Sequence, residues 1–306
     1  MNSKRWLPIL TLLTLCITLW LGSHQTGIFR FRAATASEAL HSAIATTHGS
    51  PLEAIPVEGC TQQPHPNPPQ PNLETRFVAG RLTLTRFRQD LLPATLTSDP
   101  IQRLHQYRPP ERVALADPTN FGERYLQDLQ GRSLYRDPIV VLHETVGSGR
   151  SAINYFQTPH PRDADQASYH TLILLDGTVV YLVPPDKRAF GAGNSVFPGS
   201  QGVETVQTNP RLSPSVNNFA YHISLETPPG GNHNGNSHQG YTDAQYLSLG
   251  WLTAQTGVPR SRITTHQAVD RSGSRRDPRS FNWPQYWQLL DYYPQVPTVS
   301  IGCPAT

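Results

Sequence analysis

Two imidazoles and one carboxylate stand out as chemistry-bearing residues in this 306-residue chain. His143 directly follows the apolar run Pro138-Ile139-Val140-Val141-Leu142, and His266 follows the short stretch Arg262-Ile263-Thr264-Thr265. Asp277 lies farther on, in a loop rich in Gly, Ser and Arg. Two histidines and an aspartate are enough to hold a catalytic zinc ion while leaving its fourth position open. Such an ion activates water and polarises a carbonyl oxygen as a Lewis acid. The spacing makes no compact motif of the H-E-x-x-H kind, so the residues alone leave open whether the three ever meet. Of the twelve histidines, His24, His41, His48, His65 and His105 sit in polar or Pro-rich sequence and read as solvated. His170 and His222 lie in strand-like stretches and read as core groups or as supports of the ligands. His233 and His238 fall in the Gly- and Asn-rich segment 229–240, which reads as a mobile rim loop.

The elements that must position these residues follow from local pattern. The run ending at Leu142 is short, continuous and apolar, as in a strand buried on both faces. Tyr169–Leu175 reads as a second strand, Asp176-Gly177 as a hairpin turn, and Thr178–Val183 as the returning strand. Tyr221–Glu226 alternates as a fourth. Thr242 is the expected N-cap of a helix running through about Gln255, with Asp243 in its first turn and Gly257 just past its end. Pro259 blocks continuation, 262–265 makes a last short strand, and Pro284–Asp291 closes as a helix. The fold expected is α/β, with a central mixed sheet flanked by helices over residues 135–296.

Outside that stretch the composition changes. Lys4 and Arg5 precede the apolar run Trp6–Leu21, so residues 1–22 read as a cleaved export signal or a membrane anchor. The expected location is therefore the periplasm or cell envelope. Residues 23–75, with Pro64, Pro66, Pro68, Pro69 and Pro71, read as an extended linker. Residues 76–134 read as an N-terminal extension with a strand at Arg76–Arg88, docked on the following domain or separate from it, and 297–306 as a tail. There are three cysteines and no C-x-x-C pair. Cys60 and Cys303 are either a disulfide or two thiols. The 29 prolines and the 15% charged residues exclude collagen and coiled-coil classes. A net charge of +3 is too small for a field that tracks phosphates, so no nucleic-acid partner is expected.

The stretches Ile139-Val140-Val141-Leu142-His143-Glu144-Thr145 and Ser168-Tyr169-His170-Thr171-Leu172-Ile173, with Asp176-Gly177, resemble the zinc-dependent N-acetylmuramoyl-L-alanine amidases of the second amidase family. That family is related to phage-lysozyme-type amidases and to peptidoglycan recognition proteins. Ala189-Phe190-Gly191-Ala192-Gly193, Ile223-Ser224-Leu225-Glu226, Tyr241-Thr242-Asp243-Ala244-Gln245, Thr265-His266 and Arg275-Arg276-Asp277-Pro278 follow in the family's order. The resemblance covers about residues 135–290. It implies one zinc ion held by His143, His266 and Asp277, and hydrolysis of the amide joining N-acetylmuramic acid to L-alanine in peptidoglycan or muropeptides, by a monomer. It also implies catalytic roles for three more residues. Glu226 would be the base, with a solvated strand-end carboxylate as its other reading. Tyr169 would stand near the metal, or else be a core aromatic. Arg275 would stand beside the oxyanion where the family often has a lysine, supplying fixed charge but no titrating acid. Gly191 departs from a histidine common in that segment. Two other readings stay open: a non-catalytic peptidoglycan-binding module, and an amidase acting on soluble anhydro-muropeptides.

Overall fold

In a computed structural model the described residues are 100–134 and 136–295, together with Gln63, Pro64, Val299 and Ile301. The segments 1–22 and 76–88, the Cys60–Cys303 pair and nearly all of the linker and the C-terminal tail lie outside them. Among the described residues no helix is long and apolar enough to cross a membrane.

The centre of the domain is β3 (Ile139–Glu144), whose six residues are all buried. The strand runs two residues beyond the apolar run, so His143 lies within it rather than after it. The reason is pairing. β9 (Ala220–Leu225) lies parallel to β3 in register from Ile139↔Ala220 to Glu144↔Leu225, which keeps the ladder closed past Leu142. On the other side β10 (Ile263–Thr265) runs parallel to β3, with Thr265 opposite Leu142. Beyond β9 come β4 (Thr171–Ile173), parallel to it, then β5 (Val179–Tyr181), antiparallel to β4. The edge strand β1 (Glu111–Val113) is parallel to β5. The sheet thus has the order β1-β5-β4-β9-β3-β10 and is mixed. It begins at residue 111, so the extension expected to end at 134 supplies an edge strand of the domain whose start was expected at 135. A short helix α1 (Pro100–Gln106) precedes it.

Alternation along the strands separates two faces. Val140 and Leu142, with Tyr221, Ile223 and Leu225, pack on one side against Leu249, Trp251, Leu252 and Leu290. These come from α3 (Asp243–Thr256) and α5 (Trp283–Tyr292). Ile139 and Val141 face the other way, into a cluster with Phe197, Phe219 and Val269. His143, by alternation, shares that second face. The chain builds α3 as its sequence dictates. Thr242 Oγ1 accepts from Gln245 N at 3.1 Å and Gln245 Oε1 accepts from Thr242 N at 3.0 Å, a reciprocal cap. Gly257 ends the helix at φ 64°, a left-handed conformation that glycine adopts without penalty.

Four smaller strands lie beside this sheet. β2 (Phe121–Glu123) pairs antiparallel with β6 (Lys187–Ala189), and β7 (Phe197–Gly199) with β8 (Gly202–Glu204). A helix that the sequence pattern did not signal, α2 (Gly149–Gln157), follows β3, its N-cap Ser148 accepting from Ser151 N. After β10 the chain turns at once into a one-turn helix α4 (His266–Val269), where Thr265 caps Ala268 N.

Candidate metal centre

Two parallel neighbouring strands deliver the two imidazoles. β3 carries His143 near its end. β10, one strand over and in register, hands the chain to His266 as the first residue of α4. The two rings lie edge to face with centroids 4.7 Å apart. Asp277 is folded back onto them by the following loop, where its carbonyl accepts from Gln267 N at 3.0 Å. Its Oδ2 lies 3.2 Å from His143 Nδ1 and 3.1 Å from His266 Nδ1. The three ligand atoms all fall within 4.8 Å of one another. Exposure is 0% for His143, 6% for His266 and 9% for Asp277.

The electrostatics suit a cation. Burial by itself would raise the Asp277 carboxyl, but the adjoining His143 and His266 imidazoles outweigh it and hold the group ionised far below the usual carboxylate range. Burial pushes the His143 imidazole down to about 4, against the opposing pull of Asp277, so the ring is neutral near pH 7 and offers a lone pair. Two imidazoles and one carboxylate, converging on one point, make a group that could hold a metal ion, and their types match a zinc donor set.

Behind His143 lie two more buried imidazoles. His222 Nδ1 is 2.9 Å from His143 Nε2. His170 stacks on His222 with centroids 5.7 Å apart and planes 6° from parallel, and its Nδ1 accepts from His222 N at 2.9 Å. Burial holds both rings well below the ordinary histidine value. The row ends on Arg124, 1% exposed, which donates to the carbonyls of Pro185, Asn218 and Ala220 and lies 3.1 Å from His170 Nε2. Its burial pulls the guanidinium down to about 9.

The other site residues expected from sequence stand at different distances from this centre. The half-buried Tyr169 has its ring centroid 4.5 Å from that of His143 and meets Phe156 edge to face at 5.3 Å. It lines the site and packs on the core together. Arg275 is exposed on the loop before Asp277, with its backbone N bound to Asp270 Oδ2, and its charge helps push His143 down. Glu226 follows β9 and is half-buried. Its Oε1 accepts from Gly149 N at 2.7 Å and its Oε2 from Leu175 N at 3.1 Å. The first of these amides opens α2, so the carboxylate sits where the helix dipole favours negative charge.

Sequence reasoning missed a network beside the centre. Glu144, 2% exposed, meets the guanidinium Nε of Arg279, and its Oε2 takes hydrogen bonds from His238 Nε2 and Tyr241 Oη, both at 3.0 Å. Arg279 donates onward to the carbonyls of Gly231, His233 and Gly235. The segment 229–240, expected to be a mobile rim, is therefore clamped by a buried guanidinium. Arg279, two residues past Asp277, carried no pattern signal of its own.

Residues 136–280 match the family model described as N-acetylmuramoyl-L-alanine amidase (Amidase_2). The chain is 30% identical over 139 residues to the 1,6-anhydro-N-acetylmuramyl-L-alanine amidase AmpD of Salmonella typhimurium strain LT2, an alignment covering 43% of this chain and 63% of that protein. It thus spans just under two thirds of that relative's length. Among solved structures it is similar to a Se-Met AmpD derivative, at 24% identity over 61% of this chain and 97% of that one, with a TM-score of 0.41. It is also similar to the amidase AmiD from E. coli in complex with anhydro-N-acetylmuramic acid-L-Ala-D-gamma-Glu-L-Lys. There the identity is 19%, covering 56% of this chain and 65% of that one, with a TM-score of 0.38.

Proposed function

Residues 136–280 form a domain of the N-acetylmuramoyl-L-alanine amidase family, and from that premise we propose that the chain hydrolyses the amide between N-acetylmuramic acid and L-alanine in peptidoglycan. His143, His266 and Asp277 would hold one zinc ion, which when bound supplies Lewis-acid polarisation of the scissile carbonyl and acidifies water. The observation that carries the reading is the convergence of those three buried donors, two of them held neutral or ionised as ligation requires.

The remaining chemistry belongs to the chain's own side chains. Glu226 takes the proton of the attacking water and returns it to the leaving amine. Its two amide hydrogen bonds fix the carboxylate's orientation and use one lone pair on each oxygen, leaving the others to accept a proton. Arg275, exposed and cationic, lies against the tetrahedral oxyanion and stabilises it by charge alone. Tyr169 forms the wall against the His143 ring and keeps bulk water from that side.

Peptidoglycan lies outside the cytoplasmic membrane, which agrees with residues 1–22 serving as an export signal or anchor for a monomer with a Pro-rich tether. The name of the Salmonella relative favours a second substrate form, soluble 1,6-anhydro-muropeptides. Mass spectrometry of products from purified sacculi and from anhydro-muropeptides, with and without chelator, tests both. Free stem peptides that vanish on chelation and return with zinc are expected. Intact amides in both substrates under zinc-replete conditions refute the activity.

A further inference from the structure

We propose that His222 is a positioning residue for the metal centre, and that residue 191 is glycine because the His222 ring needs its space. The inference rests on the reading of His143 as a ligand. The two His143 nitrogens face different partners: Nδ1 faces Asp277 and Nε2 faces His222. A ring that offers Nδ1 to a metal must carry its proton on Nε2. His222 Nδ1, 2.9 Å away, is placed to accept a hydrogen bond from that proton. An acceptor on the far side of a ligating histidine fixes its tautomer and its rotation, and losing such a partner commonly costs metal affinity about 10–100-fold.

A buried histidine most often bonds the backbone and fills core. His222 differs: among the described residues its ring Nδ1 meets the His143 imidazole, while its Nε2 is buried with no hydrogen-bond partner. Its own placement is set from three sides. Alternation on β9 puts Tyr221 and Ile223 into the core under α3, so His222 projects onto the face it shares with His143. His170 stacks flat on it and accepts from its backbone N–H. On the third side is Gly191, where a Cβ would lie 2.5 Å from His222 Nδ1 and 2.6 Å from its Cγ. Those distances are below any van der Waals contact, so even an alanine requires the His222 ring or the backbone at 191 to shift, which disturbs the contact with His143. The glycine that departs from the family's histidine thus makes room for a histidine arriving from β9.

Asparagine and leucine separate the hydrogen bond from the packing. Both fit the site, and asparagine alone keeps an acceptor near the Nδ1 position. Zinc affinity, measured on the full chain by competition with a chromogenic chelator, is expected to fall about 10–100-fold in His222→Leu and by less than about tenfold in His222→Asn. Gly191→Ala weakens zinc in the parental background and adds little in His222→Ala, where the displaced ring is gone. In the zinc-loaded parental protein, histidine NMR is expected to show a His143 Nε2–H protected from exchange and hydrogen-bonded to His222 Nδ1; in Gly191→Ala that protection and hydrogen bond are expected to be lost. Should His222→Leu fail to fold, the Gly191→Ala affinity and the state of the His143 Nε2–H still decide. His222→Leu binding zinc as tightly as the parental protein, or an unperturbed Nε2–H hydrogen bond in Gly191→Ala, overturns the role of His222 and leaves the amidase reading standing. A parental protein that binds no zinc overturns both.

Discussion

Arg279→Met removes the clamp that joins Glu144 to the rim segment 229–240. Arg279 is 5% exposed and Glu144 2%. The native guanidinium meets Glu144 through Nε and reaches the carbonyls of Gly231 at 2.7 Å, His233 at 2.7 Å and Gly235 at 2.9 Å. Methionine keeps the stem's packing and deletes every one of these donors. Glu144 is then left with His238 and Tyr241 at 3.0 Å and weaker contacts at 3.3 Å from Thr227 and from the backbone N of residue 279, with no fixed positive charge. Tyr241 stays a donor, since burial and the adjoining carboxylate both hold its phenol up. Stranding a buried carboxylate by removing its partner costs about 3–5 kcal/mol. The carbonyls of His233 and Gly235 belong to exposed residues and recover water, so they add little. Against a domain stability of about 5–15 kcal/mol, the loss is about a fifth or more. Urea unfolding should show the midpoint falling with an unchanged slope. Limited proteolysis should open the chain within 229–240. Adding Glu144→Leu removes the stranded charge and should recover part of the loss, because a buried pair replaced by apolar groups is often near neutral. A single-variant cost below about 1 kcal/mol, or a double variant at least as unstable as the sum of the singles, refutes the reasoning.

Two further outcomes follow from the geometry. Glu226→Gln preserves shape and one acceptor for the amides of Gly149 and Leu175; it should retain zinc stoichiometry and lose turnover by about 10²–10⁴-fold, whereas parental digestion of sacculi by the metal-replete variant removes Glu226 from the role of base. Arg262 grips Glu204 with two bonds of 2.8 Å, and these hold the Glu204 carboxyl below its ordinary value. A depressed folded-state value means that the pair's stabilisation is fully present above the unfolded carboxylate value of about 4.3 and is lost as pH falls through the lower folded one. The stability difference between parental protein and Glu204→Gln, followed by urea unfolding from neutral pH downward, should therefore shrink in acid; a difference that grows there contradicts the ion pair.

Much of the scaffold was legible because its signals are local. Thr242, Gln245 and Gly257 fix α3 at both ends by chemistry confined to a few residues, and the helix begins and ends where they stand. The strands around Leu142, Leu172, Val180 and Ile223 announced themselves by apolar runs bounded by turns. What was hidden depends on partners. The apolar run before His143 gives no sign of extending to Glu144, since those two polar residues are strand only because β9 pairs with them. α2 opens Gly149-Arg150-Ser151 after Gly147-Ser148, a composition that reads as loop until Ser148 caps it and Glu226 meets its first amide. Three residues, Glu111–Val113, are too few to show a period, so β1 is an edge strand by contact alone.

The site divides along the same line. Which residue types stood at strand ends was readable, but His143 and Asp277 are 134 positions apart, and no pattern at that separation says that they touch. The parallel arrangement supplies the missing step. β9, β3 and β10 are adjacent and point the same way, so their carboxyl ends share one edge, the edge where open α/β sheets place ligands. His143, His266 and Glu226 all lie at that edge because each ends, or directly follows, one of those three strands. Asp277 comes from a loop, and its place depends on the two imidazoles that ionise and bind it. The strands therefore preorganise the two imidazoles, whereas Asp277 is held by its backbone bond to Gln267 and by its contacts with those imidazoles. On that account, substitutions in β3 or β10 that preserve the core should leave the His143–His266 geometry intact, and the loop carrying Arg275, Asp277 and Arg279 is where the chemistry of this edge is most open to change.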